Sequence, residues 1–203
     1  ISNIGQFLIF HINQRECIVQ VPELRRMAVL LAAYITHQQD NSVCVIVPTV
    51  RDARLLADYL SDFSPVVVTG DESNNERYQA YVQMRESSTP IVIGTKVASL
   101  MLNANFTSYF VLNSSHKHHK QQDRNPRFDA RSVLWEFHER TQANIYFFDS
   151  QPRAIDVARF PKSGRLQWST ANPVHLVDMN LERQDVSTYI LSLQAEERMQ
   201  AAL

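Results

Sequence analysis

The sequence has no long apolar run, because polar or charged residues interrupt each apolar stretch within a turn or two. No window approaches the roughly 18 consecutive apolar residues that a membrane-spanning helix needs, which excludes membrane insertion. The first apolar patch, at residues 7–10, has no basic region ahead of it and no small-residue cleavage site after it. This pattern predicts no secretion signal.

Cysteine is also scarce. Cys17 and Cys44 both lie inside apolar runs rather than in a CxxC or Cys/His spacing. Free cysteines in such runs are commonly buried and behave as small apolar residues. This usage fits a reducing compartment, and we expect a cytoplasmic protein.

Neither sign of charge dominates, since the formal net charge at pH 7 is −1. Any contact with nucleic acid therefore has to come from a local basic patch. Apolar residues make up 44% of the chain and charged residues 20%, which is typical of a globular domain and argues against disorder. The length of 203 residues suits one substantial domain plus a tail.

Two kinds of site that individual residues suggest lack support from the pattern around them. There is no GxSxG elbow, and Ser114, Ser115 and His116 are sequence neighbours rather than a triad drawn from distant segments. The three histidines between residues 116 and 119 resemble metal ligands, but adjacent histidines rarely converge on one ion. We predict neither a serine hydrolase nor a metal site.

Short β-branched or aromatic runs alternate with segments of helical periodicity. The runs cover residues 16–21, 43–47, 66–68, 90–94, 109–112 and 144–148. Apolar residues between them fall on helical stripes: Leu24, Met27, Ala28, Leu31 and Ile35; Leu55, Leu56 and Leu60; Tyr78, Tyr81 and Met84; Val133, Leu134 and Phe137. The alternation predicts an α/β fold, a doubly wound, mainly parallel sheet with helices on both faces. Ligands are expected at the loops that leave the carboxyl ends of its strands.

The pattern changes after Phe160, where Pro161, Gly164 and Pro173 interrupt a polar stretch. One more apolar run follows at residues 174–177, and residues 185–203 have the spacing of an amphipathic helix. We therefore expect a domain over residues 1–160. Residues 161–203 are expected to be a connecting strand and a helix that leads toward a partner domain.

Several segments, in conserved order along the chain, resemble the PriA-type replication-restart helicases. Residues 68–77 and 91–96 are similar to that family's His-Ser-Gly turn, Glu-Arg pair and Ile-Val-Ile-Gly-Thr-Arg strand end. Residues 120–122 and 125–131 are similar to its Tyr-Lys-Gln-Gln and Arg-Tyr-His-Ala-Arg-Asp stretches, and the short matches at 47–48 and 176–179 flank them. The resemblance implies a RecA-like, P-loop helicase-type domain, the first of two in such a protein. It also implies DNA and replication-restart proteins as partners.

The same register lacks the family's ATPase residues. The place of the GxxGxGKT phosphate loop holds residues 19–26, with Pro22, Glu23, Arg25 and Arg26 and no glycine, so the backbone N–H cradle is absent. A proline at the first helical position and a glutamate in the first turn predict an ordinary helix start there. The place of Asp-Glu-Glu-His holds Asn113, Ser114, Ser115 and His116, without carboxylates for Mg²⁺ or for a base. The place of Gly-Ser-Ala-Thr-Pro holds residues 148–152. We predict no bound cofactor and no ATP hydrolysis.

The best candidate surface for a partner lies between residues 116 and 131. Long cations contact phosphates, amides bond base or sugar groups, and an aromatic ring stacks on an unpaired base. In the family the corresponding loop is expected to couple ATP hydrolysis to DNA. The predicted DNA-binding residues are Lys96, Lys117, Lys120, Gln121, Gln122, Arg127, Phe128 and Arg131, with Arg124 in the same cluster. Arg131 could instead lie on a helix and pair with Asp129, and Phe128 could be a core residue.

The sequence therefore favours a DNA-binding, helicase-like domain of a replication-restart protein that does not hydrolyse ATP. Two alternatives stay open. One is an active ATP-dependent helicase or translocase with divergent motifs, and the other is a protein-interaction scaffold of the replication machinery that has lost DNA binding.

Overall fold

A computed structural model describes residues 15–38, 42–102, 106–123 and 125–167. Within them a seven-stranded sheet has the order β3-β4-β2-β5-β8-β1-β9, and all its neighbouring strands are parallel. The two remaining strands, β6 and β7, form a separate antiparallel pair. The strands are β1 (Glu16–Gln20), β2 (Val43–Ile46), β3 (Val66–Val68), β4 (Ile91–Gly94), β5 (Ser108–Leu112), β6 (Lys120–Gln121), β7 (Phe128–Asp129), β8 (Asn144–Asp149) and β9 (Arg165–Gln167).

Helices cover both faces of the sheet, as the sequence predicts. They are α1 (Leu24–His37), α2 (Val50–Tyr59), α3 (Asn74–Glu86), α4 (Ala130–Thr141) and α5 (Ala154–Arg159). Because successive strand residues point to opposite faces, Val43 and Val45 of β2 pack with α1 and α2, whereas Cys44 and Ile46 pack with α3 and α4. The six predicted strands and the doubly wound parallel architecture are confirmed.

Local sequence explains where several helices begin. Thr49 accepts a hydrogen bond from the N–H of Asp52 at the start of α2, and Ser73 forms a capping box with Glu76 at the start of α3. Such caps satisfy N–H groups that have no partner within the helix. Two of the predicted stripe residues, Leu55 and Tyr78, are exposed instead of buried, since the helices present adjacent residues to the sheet.

Gly94 ends β4 at a close approach between two strands. A Cβ atom there would lie 2.3 Å from the carbonyl oxygen of Val68 and 2.5 Å from Cβ of Ala98. Neither distance is possible for a side-chain carbon, so the crossing from β4 into the following turn requires glycine at this position.

The described residues all belong to one compact unit, residues 1–168. Its last strand, β9, pairs with β1 and lies beyond residue 160, within the segment that the sequence suggested as a connection. The apolar run at 174–177 and the amphipathic segment at 185–203 lie outside the described residues. No helix in the described part is long and apolar enough to span a bilayer.

Candidate nucleic-acid interface

A loop of 17 residues, 113–129, joins β5 to α4 and lies at the carboxyl edge of the sheet. Two contacts fix its position. The main-chain N–H of Ser114 donates to the carbonyl of Phe148 in β8 over 3.3 Å, and Nζ of Lys96, just after β4, donates to the carbonyl of Lys120 over 3.2 Å. The loop therefore reaches from the end of β4 across β2 and β5 to the end of β8, at the edge where parallel α/β sheets bind ligands.

The second half of this loop forms a small hairpin. Lys120 lies opposite Asp129, and Gln121 opposite Phe128. Nε2 of Gln121 also donates to the carbonyl of Pro126 over 3.3 Å, which closes the turn. We call residues 117–129 the basic hairpin.

Three predicted DNA-binding cations lie in the open on the basic hairpin. Lys117, Lys120 and Arg127 are exposed, and none of them forms an ion pair with another residue in the described ranges. Gln122 is exposed beside them, and Lys96 is half-buried against the hairpin. Arg124 falls outside the described residues. The structure thus brings Lys96, Lys117 and Lys120 to one edge of the sheet, close to Gln121.

Arg131 does not belong to the exposed set, and its assignment as a phosphate contact needs correction. Arg131 is 1% exposed. Nε and one terminal nitrogen each donate to Asp129 over 2.7 Å, and the other terminal nitrogen donates to the carbonyl of Ser114. With its donors engaged inside the protein, the guanidinium cannot reach a phosphate. The alternative that Arg131 pairs with Asp129 is the one observed.

Phe128 is half-buried, packs against the core and lines a surface cavity of about 450 Å³ together with Val133 and Phe137. Part of the ring therefore serves the core. Its role as a stacking surface for a base stays a prediction.

The connection between β1 and α1, in the place of the phosphate loop, has three residues and no glycine. Val21 donates its N–H to the carbonyl of Asp149 over 2.7 Å, and Pro22 has no N–H. Glu23 is the N-cap residue of α1 but makes no side-chain capping bond, and its carboxylate lies 3.9 Å from Nε of Arg26. Pro22 therefore precedes the helix, and the expectation of proline at the first helical position and glutamate in the first turn is wrong by two residues. Arg25 is exposed.

The loop after β5, in the place of the acidic ATPase element, turns inward. Asn113 adopts a left-handed backbone conformation with φ of 49°, which asparagine tolerates better than most residues. Ser114 is fully buried, whereas Ser115 is exposed. Nδ1 of His116 accepts a hydrogen bond from the N–H of His118 over 3.2 Å. Burial, together with the neighbouring His118, lowers the pKa of His116.

Asp149, at the end of β8, is a carboxylate in this site that the sequence reasoning did not single out. It is 2% exposed and accepts hydrogen bonds from Oγ of Ser114 over 3.3 Å, from the N–H of Ser115 and from the N–H of Gln151 over 2.7 Å. Its place at the end of a predicted strand is a sequence signal for the ligand-facing edge of the sheet. Asp149 anchors the loop after β5 to β8.

His119 is buried beneath the same loop. Its Nε2 lies 3.0 Å from the carbonyl of Leu112 and 3.1 Å from that of Asn113, and Nδ1 has no hydrogen-bond partner among the described residues. Burial, and after it the positive charge of Arg131, lowers the pKa of His119 to about 4. The imidazole is neutral at pH 7 and donates from Nε2. The described residues contain no group of three potential metal ligands.

Comparison with known proteins identifies solved structures with a similar architecture. No protein-family model matches the sequence, and no curated protein matches it. Among solved structures, the UvsW helicase from bacteriophage T4 superposes with a TM-score of 0.55 at 14% identity, over 81% of this chain and 58% of that one. A DEAD box protein from the hyperthermophile Methanococcus jannaschii gives 0.51 at 12% identity, over 81% and 49%. Mss116p bound to single-stranded RNA and AMP-PNP gives 0.54 at 11% identity, over 85% and 35%.

The chain therefore spans about half, or less, of two of these neighbours and 58% of the third. Identities this low support the fold alone. The parallel order of the sheet, the helices on both faces and these superpositions together show that the chain has the fold of a helicase-type RecA-like domain.

Proposed function

We propose that this chain is a nucleic-acid-binding RecA-like domain that contacts single-stranded or branched DNA through its basic hairpin and does not itself hydrolyse ATP. The observation that carries the proposal is the set of exposed cations Lys117, Lys120 and Arg127, which have no ion-pair partner among the described residues. They stand at the carboxyl edge of the sheet, where this fold class binds ligands.

Electrostatics favours a phosphate backbone as the partner of these cations. Each lysine or arginine that meets a phosphate releases counterions, and this sequence-independent effect supplies most of non-specific binding. The net charge of the chain is −1, so the attraction has to be local to the hairpin. Mss116p, which shares the fold, was solved with single-stranded RNA, and this supports a nucleic-acid partner.

The absence of ATP hydrolysis is proposed from the geometry of the two elements beside the hairpin. Of the three residues between β1 and α1, Val21 donates its N–H to the main-chain carbonyl of Asp149, and Pro22 has no N–H. A phosphate cradle needs several free N–H groups. The carboxylate of Asp149 is buried and accepts three hydrogen bonds, two from the loop after β5 and one from the N–H of Gln151, so protein donors already occupy most of the acceptor positions that Mg²⁺ would need.

The resemblance to PriA-type helicases extends the proposal to partners. It supports replication-restart proteins and a second RecA-like domain, toward which residues 161–203 would lead from the domain at 1–160. A pure protein-interaction scaffold is the competing function. The two functions differ in whether the chain binds DNA with an affinity that depends on salt and on the cations of the basic hairpin.

Binding of a fluorescent oligothymidylate, measured by anisotropy at two or more salt concentrations, tests the proposal. The change is Lys120→Ala with Arg127→Ala. We expect weaker binding and a log–log salt slope flatter by about one to two units, at about 0.7 per lost contact for single strands.

The matched control is Arg85→Ala with Lys162→Ala. Both residues are exposed; Arg85 lies near the carboxyl end of α3, and Lys162 lies just before β9. Both positions are at the opposite edge of the sheet, because helices in such folds run antiparallel to the strands and Lys162 precedes a parallel strand. The control removes the same charge and should leave the slope unchanged. Equal slopes for both double variants would rule out the hairpin, and no binding by the unmodified chain would favour the scaffold.

A further inference from the structure

A buried guanidinium is among the groups that hold the basic hairpin to the sheet. Arg131 lies in the first turn of α4, Asp129 is the last residue of β7, and Ser114 follows β5. Arg131 donates twice to Asp129 and once to the carbonyl of Ser114. A single side chain thus joins a helix, the hairpin and the loop after β5.

The chain of contacts continues beyond Arg131. Ser114 donates its hydroxyl to Asp149 in β8 and its N–H to the carbonyl of Phe148, so the group that Arg131 contacts is itself fixed to the centre of the sheet. On the other side, Asp129 pairs in register with Lys120. The exposed Lys120 is therefore paired in register with the residue whose carboxylate binds the buried Arg131.

Charge and burial make this arrangement specific to arginine. A planar guanidinium can donate in parallel to both carboxylate oxygens while a third donor points elsewhere, whereas a lysine ammonium is a point charge that cannot match this geometry. Asp129 keeps a pKa below its usual range, although burial opposes this, because its hydrogen bonds and ion pair with Arg131 favour the charged form.

We infer that Arg131 is a positioning residue, which acts through Asp129 and Ser114 to hold the basic hairpin in one orientation so that Lys120, Arg127 and Lys96 contact the same strand of nucleic acid. The expected effect on DNA binding rests on the proposed function. The claim that Arg131 orients the basic hairpin does not depend on it.

The test is Arg131→Lys, with Arg140→Lys as the matched control. Arg140 is on the same helix, exposed, and paired with Glu136 over 2.7 Å. In the unmodified chain and both variants, hydrogen exchange is followed at the amides of His118, His119 and Lys120, whose bonds lie inside the loop. Oligothymidylate affinity is measured across salt concentrations.

For Arg131→Lys we expect faster exchange at these three amides while the amides of β2 and β5 keep their protection. We also expect a roughly tenfold loss of affinity with a salt slope flatter by about one unit, since fewer cations then engage the strand together. Arg140→Lys should change neither quantity.

Unchanged exchange in the loop of Arg131→Lys would overturn the inference, whatever the DNA result. Equal loss of protection in β2 and β5 would also overturn it, because Arg131 would then support the whole fold. If the loop opens but the unmodified chain binds no DNA, the positioning role stands and the proposed function fails. If the loop opens while affinity and slope stay constant in a chain that does bind DNA, the inferred link to binding is wrong.

Discussion

Replacing Asp149 by asparagine separates a structural carboxylate from a metal ligand. Both oxygens of Asp149 are used, one by Ser114 and Ser115 and the other by Gln151. Asparagine has one oxygen, so its NH₂ group must face either the N–H of Gln151 or the two donors from the loop. At least one hydrogen bond is lost, and the others lose the contribution of the charge.

The size of the effect follows from these contacts. A hydrogen bond to a charged group is worth about 1.5–3 kcal/mol, and an unsatisfied buried donor costs a similar amount. We therefore expect Asp149→Asn to lower the free energy of unfolding by about 2–4 kcal/mol. With a urea m-value of about 2 kcal/mol/M, the midpoint should fall by about 1–2 M.

Urea unfolding followed by circular dichroism, without nucleotide, measures this change. Asp58→Asn is the control, because Asp58 is exposed on α2, and such a change should stay within about 0.5 kcal/mol. An Asp149→Asn variant as stable as the unmodified chain would contradict a structural role for this carboxylate. A carboxylate that served only as a ligand for Mg²⁺ would give that result, because neutralising an unpaired buried carboxylate does not destabilise the protein.

Two further substitutions test other parts of the structure. His119→Gln should remove a pH-dependent loss of stability. Because the pKa of His119 is lowered to about 4, this imidazole takes up a proton below about pH 6.5 in the unfolded chain but not in the folded chain. The free energy of unfolding should therefore fall by about 3 kcal/mol between about pH 6.5 and about pH 4 in the unmodified chain. Urea midpoints across this range should fall less steeply in the variant, and parallel curves would exclude His119 as the source. Gly94→Ala should cost about 2–3 kcal/mol by overpacking against the backbone of Val68, as read from thermal unfolding. Gly70→Ala, where a Cβ would meet only Val97 at 3.9 Å, should be neutral, and a similar loss in both would contradict the clash.

The sheet was predictable from sequence because its strands are apolar on both faces. The runs at residues 43–47 and 90–94 have almost no polar residues, and a strand covered by helices on both sides needs that composition. Helix starts were less predictable. The pattern at Pro22 and Glu23 suits several registers, and α1 begins only at Leu24 because the short connection from β1 fixes where the chain can turn.

The site was predicted unevenly for a physical reason. Exposed cations such as Lys120 and Arg127 follow from charge in a polar loop, and the structure places them in the open. A two-residue strand has no periodicity, so the β6–β7 pair could not be predicted. The pairing of Arg131 with Asp129 was one of two alternatives that the sequence left open. The burial of Arg131 and Asp149 could not be predicted, because it depends on elements and strand ends that meet only in the folded chain.

The proposed function requires that the chain binds single-stranded DNA without coupling to nucleotide. The most direct measurement is a calorimetric titration of oligothymidylate into the chain, with and without millimolar ATP and Mg²⁺. We predict saturable binding whose dissociation constant is the same in both titrations to within about twofold, which is about 0.4 kcal/mol. No binding in either titration, or a dissociation constant that changes tenfold or more when ATP and Mg²⁺ are present, would contradict the claim.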